Sequence, residues 1–98
     1  MEYKIIILPL AQKEIDNALV WYESKQKGLG ADFLTYLGGY FLAIRQGFAI
    51  YQVKRKPYFR ELPLKRFPFV IIYEINGDEI IIFSVFNVHQ DPNKKLKS

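Results

Sequence analysis

The second half of the sequence contains both positively charged residues and residues that can transfer protons. The candidate residues for such chemistry are Arg60, Lys65, Arg66, Tyr73 and His89. Arginine holds a phosphate through two parallel hydrogen bonds, and lysine adds a point charge. His89 is the one histidine of the chain. Because histidine titrates near neutral pH, His89 is the natural proton carrier of the set. These residues are therefore candidates for phosphate binding and acid–base chemistry.

Each of these side chains also has an ordinary structural interpretation. Tyr73 alternates with Glu74 along a predicted strand and can be half-buried packing. Arg66 can pair with a carboxylate at the sheet edge or with a residue of a partner. The nearby basic run at 54–56, whose Lys54 and Lys56 are further candidates, is typical of a solvated loop. His89 stands beside a polar tail, where a histidine is simply exposed.

Composition excludes several other kinds of site. The 98 residues include no cysteine, which rules out disulfides, thiolate zinc sites and cysteine nucleophiles. One histidine argues against a metal held by imidazoles. No glycine-rich phosphate loop, carboxylate cluster at metal spacing or serine nucleophile motif occurs. The sequence therefore predicts neither a metal nor a cofactor. The net charge of +4 permits an anionic partner without requiring one.

The hydropathy of the chain gives no sign of a membrane segment. No apolar run approaches the roughly 20 residues needed to span a bilayer. Residues 1–8 are too short and too acidic for a signal peptide. We therefore expect a cytoplasmic protein without membrane contact.

Hydrophobic periodicity predicts the first three elements that must position these residues. The apolar run at 3–8 indicates a strand, and two helices follow at about 10–26 and 32–49. The first helix carries an apolar stripe of Ile15, Ala18, Leu19 and Tyr22. The second carries an apolar seam of Leu34, Leu37, Phe41, Ile44 and Phe48. Gly28 to Gly30 forms a short connector, so the helices are predicted to pack as an antiparallel hairpin.

Three strands at 58–62, 69–75 and 79–86 complete the predicted fold. Asn76-Gly77 links the last two as a tight hairpin, because both residues tolerate positive φ. These strands form an antiparallel meander, the first strand joins one edge, and the helices cover one face. The sequence thus predicts one α+β domain over 1–98: an N-terminal strand and a two-helix hairpin packed on a small antiparallel sheet. The tail at 90–98 is expected to be mobile.

The aromatic content indicates a partner surface. Aromatic residues make up 16% of the chain, whereas a domain of this size buries only about 60–65% of its unfolded surface. Trp21, Tyr40 and Phe48 are the candidates for an exposed partner-binding surface. Gly38-Gly39 interrupts the second helix at a cost of about 1 kcal/mol per glycine. Such a pair predicts a close backbone crossing, either against the first helix or against another chain.

Short segments in a fixed order resemble the RelE/ParE superfamily of toxins. They are Trp21-Tyr22-Glu23, Gly28-Leu29-Gly30, Phe33-Leu34, Lys65-Arg66-Phe67-Pro68-Phe69, Ile72-Tyr73-Glu74, Val85-Phe86 and Asp91-Pro92. The resemblance covers residues from about 10 to 92. It implies a helix hairpin on a small antiparallel sheet and the toxin half of a type II toxin–antitoxin module, often called a plasmid stabilisation protein. The implied partner is a small cognate antitoxin.

The superfamily divides by mechanism. RelE-like members cut mRNA on the ribosome, which requires a base for the 2′-hydroxyl, cations for the phosphorane and an acid for the leaving oxygen. ParE-like members poison DNA gyrase. Many relatives carry a histidine directly after the last strand and an arginine three residues later. This chain has Asn87 and Gln90 there, and His89 is displaced by two residues.

The departure at Asn87 and Gln90 favours a ParE-like toxin over an mRNA endonuclease. An amide neither transfers a proton at neutral pH nor supplies a fixed positive charge. The leading hypothesis is therefore a toxin that binds a protein target such as DNA gyrase and is neutralised by its antitoxin. The alternatives are a ribosome-dependent endonuclease and a degenerate member that binds an antitoxin without harming the cell.

Overall fold

The computed structural model describes residues 2–47 and 59–89. Within these ranges the elements are β1 (Lys4–Ile7), α1 (Pro9–Lys25), α2 (Leu29–Arg45), β2 (Phe59–Pro63), β3 (Phe69–Asn76) and β4 (Glu79–Asn87). This order is the one that the hydrophobic periodicity predicts. The basic run at 54–56 and the tail at 90–98 lie outside the described residues.

The strands form one sheet in the order β1-β4-β3-β2. The last three strands pair antiparallel, as predicted, and Gly77 takes a positive φ of 64° in the turn between β3 and β4. β1 joins β4 in parallel, with Lys4 opposite Glu79 and Ile7 opposite Ile82. The sheet is therefore mixed. The parallel pairing is possible because two helices and two strands separate β1 from β4, so no tight turn dictates their direction.

Helix α1 presents the predicted apolar stripe to the sheet. It begins at Pro9, where the missing N–H costs nothing because the first turn has no intrahelical acceptor. The buried residues of α1 are Ala11, Ile15, Ala18 and Tyr22. Leu19, which the prediction placed in the stripe, is only partly buried.

Helix α2 buries a different face from the predicted seam. Its buried residues are Gly30, Phe33, Leu37 and Ile44. Leu34 is 40% exposed, so its assignment to the seam was wrong. The helix begins at Leu29, and the Phe33 ring packs where the prediction placed Leu34, beside the ring of Tyr22 on α1. Phe48, the last seam residue, lies outside the described residues.

Both faces of the sheet carry apolar side chains. The face toward the helices contributes Leu62, Phe69, Ile71, Tyr73, Ile80, Ile82 and Val85 to the main core. Val70, Ile72 and Phe86 form a second buried cluster, against which Phe83 packs. Neighbouring residues of β3 divide between the two clusters because strand side chains alternate between faces.

Glu23 closes the hairpin between the helices. Its carboxylate accepts the backbone N–H of Gly28 at 3.0 Å and that of Gly30 at 3.0 Å. These are N–H groups at the start of α2, where helical partners are lacking. Gly28 has a φ of 90°, and a Cβ on Gly30 would lie 2.9 Å from the carbonyl oxygen of Leu19. The two glycines of the connector are therefore required by backbone geometry and by close packing.

Gly38 and Gly39 lie on the exposed side of α2. A Cβ built on either glycine meets no atom of the described chain within 4 Å. The predicted crossing against the first helix is therefore wrong, because α1 approaches the backbone of α2 at Gly30 instead. A crossing against another chain stays a prediction.

Candidate functional site

The structure pairs Arg60 with Tyr73 across two strands but does not gather all five candidate catalytic residues at one place. Tyr73 is fully buried in the main core, since its position on β3 points toward the helices. Arg60 is half-buried on β2, opposite Tyr73 in the register. Lys65 and Arg66 are exposed in the loop between β2 and β3, whereas His89 is exposed after the end of β4. The packing interpretation of Tyr73 agrees with its position.

Two tyrosines of α2 fix the loop that carries Lys65 and Arg66. The hydroxyl of Tyr36 accepts the backbone N–H of Lys65 at 3.2 Å and that of Arg66 at 3.0 Å. It also lies 3.1 Å from the hydroxyl of Tyr40. The hydrogen bond with Tyr40 is the main influence that lowers the pKa of Tyr36, and the two backbone N–H groups add to it. Tyr40, a predicted partner-binding residue, is thus half-buried and tied to this loop.

The Arg66 side chain lies against the first half of α2. Its guanidinium is 5.1 Å from the ring centre of Phe67 and 6.0 Å from that of Tyr36. A guanidinium nitrogen lies 3.9 Å from a carboxylate oxygen of Asp32. Both charged side chains are more than half exposed, so the pair contributes less than about 1 kcal/mol. Arg66 therefore has a carboxylate neighbour, but that carboxylate lies on α2 and not at the sheet edge, where the structural interpretation placed it.

An open cleft of about 640 Å³ lies between α1 and the end of the sheet where β3 begins and β4 ends. Its apolar lining includes Trp21, Tyr22 and Phe69, and its polar lining includes Asn17, Asn87 and His89. The indole of Trp21 is 56% exposed, with the Lys25 ammonium 5.0 Å from its ring centre. Asn87 accepts the backbone N–H of His89 at 2.8 Å through its side-chain oxygen and turns the chain after β4.

A second apolar surface lies between the two helices. Val20 and Leu34 line a shallow depression between the two helices, and they are 68% and 40% exposed. We call Val20, Trp21 and Leu34 the hairpin patch. The prediction placed Val20 and Trp21 beside the apolar stripe, where exposure is expected, but assigned Leu34 to the buried seam. Both Phe33 and Leu34 fit a helical spacing with Leu37, and the structure buries Phe33 and exposes Leu34.

Glu14 is a carboxylate that the sequence analysis did not single out. It lies half-buried between α1 and β4, where one of its oxygens accepts the Ser84 hydroxyl at 2.7 Å and the Val85 N–H at 2.9 Å. Burial raises the pKa of Glu14, and these two hydrogen bonds oppose the rise without cancelling it. No local signal marks this role, because the partners lie on a strand far along the chain.

The titration of Glu14 predicts a pH-dependent stability. A carboxyl whose pKa is raised in the folded state binds its proton more tightly there than in the unfolded chain. The protonated Glu14 carboxyl therefore makes its full contribution to the free energy of unfolding below the ordinary glutamate pKa. This contribution is lost as the pH rises through the raised pKa of the folded state. Glu14→Gln keeps an acceptor oxygen but does not titrate. We expect urea denaturation from about pH 4 to 7 to show this decline in the wild type and not in Glu14→Gln.

The control for this experiment is Asp16→Asn. Asp16 is an exposed carboxylate of the same helix and accepts a hydrogen bond from Gln12 at its surface. Its replacement should leave the decline with pH intact. If the free energy of unfolding of Glu14→Gln declined with pH as steeply as that of the wild type, the assignment of the decline to Glu14 would be contradicted.

Two further findings concern the described part of the chain alone. Within it, histidine and acidic side chains form no group of three that could hold a metal ion. Nor does it contain a helix of the length and apolar character needed to cross a membrane.

Comparison with known proteins defines the class of this molecule. Its fold is similar to a solved structure described as "Chromosomal ParDE TA system from P. aeruginosa", with a TM-score of 0.75 and 18% sequence identity. The match covers 90% of this chain and 98% of that chain. At this identity the likeness establishes the α+β fold.

A family profile establishes the membership. The family described as "ParE toxin of type II toxin-antitoxin system, parDE" matches residues 5–92. The chain belongs to the ParE toxin family. A search of curated proteins finds no match to the sequence. The predicted resemblance to the RelE/ParE superfamily is confirmed.

Proposed function

We propose that this chain is a toxin that inhibits DNA gyrase by direct contact and that a cognate antitoxin neutralises it. Membership of the ParE family supports a toxin–antitoxin role. The observation that carries the binding mechanism is the exposed hairpin patch beside an open cleft. A protein that acts by contact needs such a surface and needs no proton shuttle. Action on gyrase agrees with the predicted cytoplasmic location.

The positions of the catalytic candidates support binding over RNA cleavage. A general acid and base must reach the same phosphodiester. Tyr73 is enclosed in the core, Arg66 lies against α2, and His89 lines the cleft beside α1. These three side chains therefore lie in three different surroundings.

The exposed indole of Trp21 is the anchor of the proposed interface. Tryptophan contributes a large apolar area, and burying its exposed half gains roughly 2–3 kcal/mol. Residues of this type dominate the binding energy of many interfaces. A partner helix or an extended segment that covers the cleft would remove this ring from water.

The target is tested with purified full-length chain in a DNA gyrase supercoiling assay. We expect inhibition that disappears when the antitoxin is added. Primer extension on translated mRNAs after brief expression serves as the second arm. Unaffected gyrase together with new cuts at defined codon positions would replace our proposal by the endonuclease alternative. Absence of growth arrest would instead indicate the degenerate member.

The interface is tested with Trp21→Ala. We expect the affinity for the antitoxin to fall by roughly ten- to a hundredfold, measured by calorimetry, because an exposed aromatic anchor is lost. The control is Leu10→Ala, which truncates a residue 47% exposed at the other end of α1. It should change the affinity by less than about threefold. Circular dichroism establishes that both variants fold. Wild-type affinity in Trp21→Ala would place the interface elsewhere.

A further inference from the structure

Glu14 is a carboxylate of the cleft with one oxygen in use and the other available. Its Oε1 accepts the hydrogen bonds from Ser84 and Val85, which are buried beneath α1. Among the described residues, none donates a hydrogen bond to Oε2. Oε2 is nevertheless within reach of solvent, because the described side chains include no buried oxygen without a partner. The accessible side of this carboxylate is therefore the side that lines the cleft.

The charge of Glu14 has no counter-ion in the part of the chain that the structure describes. No lysine or arginine there forms an ion pair with it. Burial raises the pKa of Glu14, and the groups that oppose this rise are its two hydrogen-bond donors, not a positive charge. A half-buried carboxylate without a cation is solvated less well than one on the surface. A positively charged group of a ligand is therefore the chemical complement of this end of the cleft.

The two ends of the cleft differ in charge. Helix α1 lines the cleft with Glu14 at one end and Trp21 at the other, about 10 Å apart along the helix axis. The Lys25 ammonium already lies 5.0 Å from the ring centre of Trp21. A second cation at Trp21 would be repelled by Lys25, whereas one at Glu14 would be attracted. Between the two ends, Ala18 and Phe69 contribute apolar surface, which suits the methylene stem of a basic side chain.

We propose that the cleft binds a protein segment that places a basic side chain at Glu14 and an apolar side chain at Trp21. The inference rests on the proposed function, which makes this cleft part of the partner interface, and adds the chemistry of the segment that fills it. An arginine fits better than a lysine, because the guanidinium group is weakly hydrated and spreads its charge over several N–H donors. Asn17, one turn further along α1, adds an amide oxygen to the same wall for these donors.

The test uses the full-length chain and capped tetrapeptides at about pH 8, where glutamate carboxyls are ionised. One peptide has leucine and arginine at its ends and two alanines between them, so that its end residues lie about 10 Å apart when it is extended. A second peptide replaces the arginine by citrulline, which has a similar shape and no charge, and both peptides are also made in the reverse order. Trp21 is the one tryptophan of the chain, so its fluorescence reports the occupancy of the cleft. We expect the arginine peptide, in its better order, to bind roughly tenfold or more tightly than its citrulline counterpart.

Two variants make the test specific. Glu14→Gln keeps an acceptor oxygen but removes the charge, and it should reduce the preference for arginine to less than about twofold. Asp16→Asn removes a carboxylate from the exposed side of the same helix and should retain the preference. Circular dichroism establishes that both variants fold.

Three outcomes would overturn the proposal. They are equal affinities of the wild type for the arginine and citrulline peptides, no saturable fluorescence change with either peptide, and a preference for arginine that folded Glu14→Gln retains. None of these outcomes bears on the toxin role itself, because gyrase, the antitoxin and growth do not enter the measurement.

Discussion

Alanine at Gly30 is expected to lower the free energy of unfolding by about 1–3 kcal/mol, whereas alanine at Gly38 is expected to raise it by up to about 1 kcal/mol. At Gly30 a Cβ would lie 2.9 Å from the Leu19 carbonyl oxygen and 2.7 Å from Leu19 Cδ1. Backbone cannot move aside as a flexible side chain does, so the helices must separate. At Gly38 the added methyl group meets no atom of the described chain and improves helix propensity.

Thermal and urea denaturation measure both changes. For a domain of this size, each kcal/mol corresponds to a shift in Tm of roughly 4–8 °C. Gly39→Ala serves as a second open-surface control, since its Cβ position is equally unobstructed by described atoms. Equal destabilisation by all three substitutions would contradict the helix crossing at Gly30. If Gly38→Ala stabilises the chain but weakens antitoxin binding, the crossing predicted for this glycine is made by the partner.

Truncation of Phe33 is the substitution with the largest expected cost, about 3–5 kcal/mol. Its side chain is fully buried, and its ring centre lies 5.3 Å from that of Tyr22, 5.2 Å from that of Phe67 and 5.4 Å from that of Phe69. This aromatic cluster joins both helices to the start of β3. Phe33→Ala leaves a cavity where these elements meet. Because domains have only about 5–15 kcal/mol of stability, a large part of that reserve is lost.

The neighbouring residue provides the matched control. Leu34→Ala truncates an apolar side chain of the same helix, but one that is 40% exposed. We expect its cost to stay below about 1 kcal/mol in urea denaturation. A larger cost for Leu34→Ala than for Phe33→Ala would show that the predicted seam, and not the observed face, packs on the sheet.

Most of the fold was predictable because its signals are local. The stripe ending at Tyr22 gave the orientation of α1, and Asn76-Gly77 gave the tight hairpin. The direction of β1 was not predictable, because no turn connects it to β4. The face of α2 was misassigned at Leu34, since steps of three and four fit two adjacent stripes in so apolar a helix. Phe33 is buried in place of Leu34 because its ring packs against aromatic rings on α1 and β3.

The candidate site was less predictable because its geometry depends on distant contacts. Tyr73 is a residue type that can take part in catalysis. Its side chain, however, lies on the face of β3 that points into the main core. Glu14 accepts a hydrogen bond from a residue of the sheet, and Tyr36 accepts one from the loop between β2 and β3. The spacing of residues in the sequence does not predict either contact. The exposure of Trp21 is the part of the site that its position beside the stripe indicated.

The parallel pairing of β1 with β4 has a consequence for the order in which the chain folds. Lys4 and Glu79 are near the two ends of the sequence, yet they are neighbours in the sheet. The helix hairpin closed by Glu23 depends on contacts only a few residues apart, which form quickly. During synthesis β1 leaves the ribosome before β4 and can pair with it only after β4 has emerged. The completed sheet, and any activity that depends on it, therefore arises only after β4 has been made.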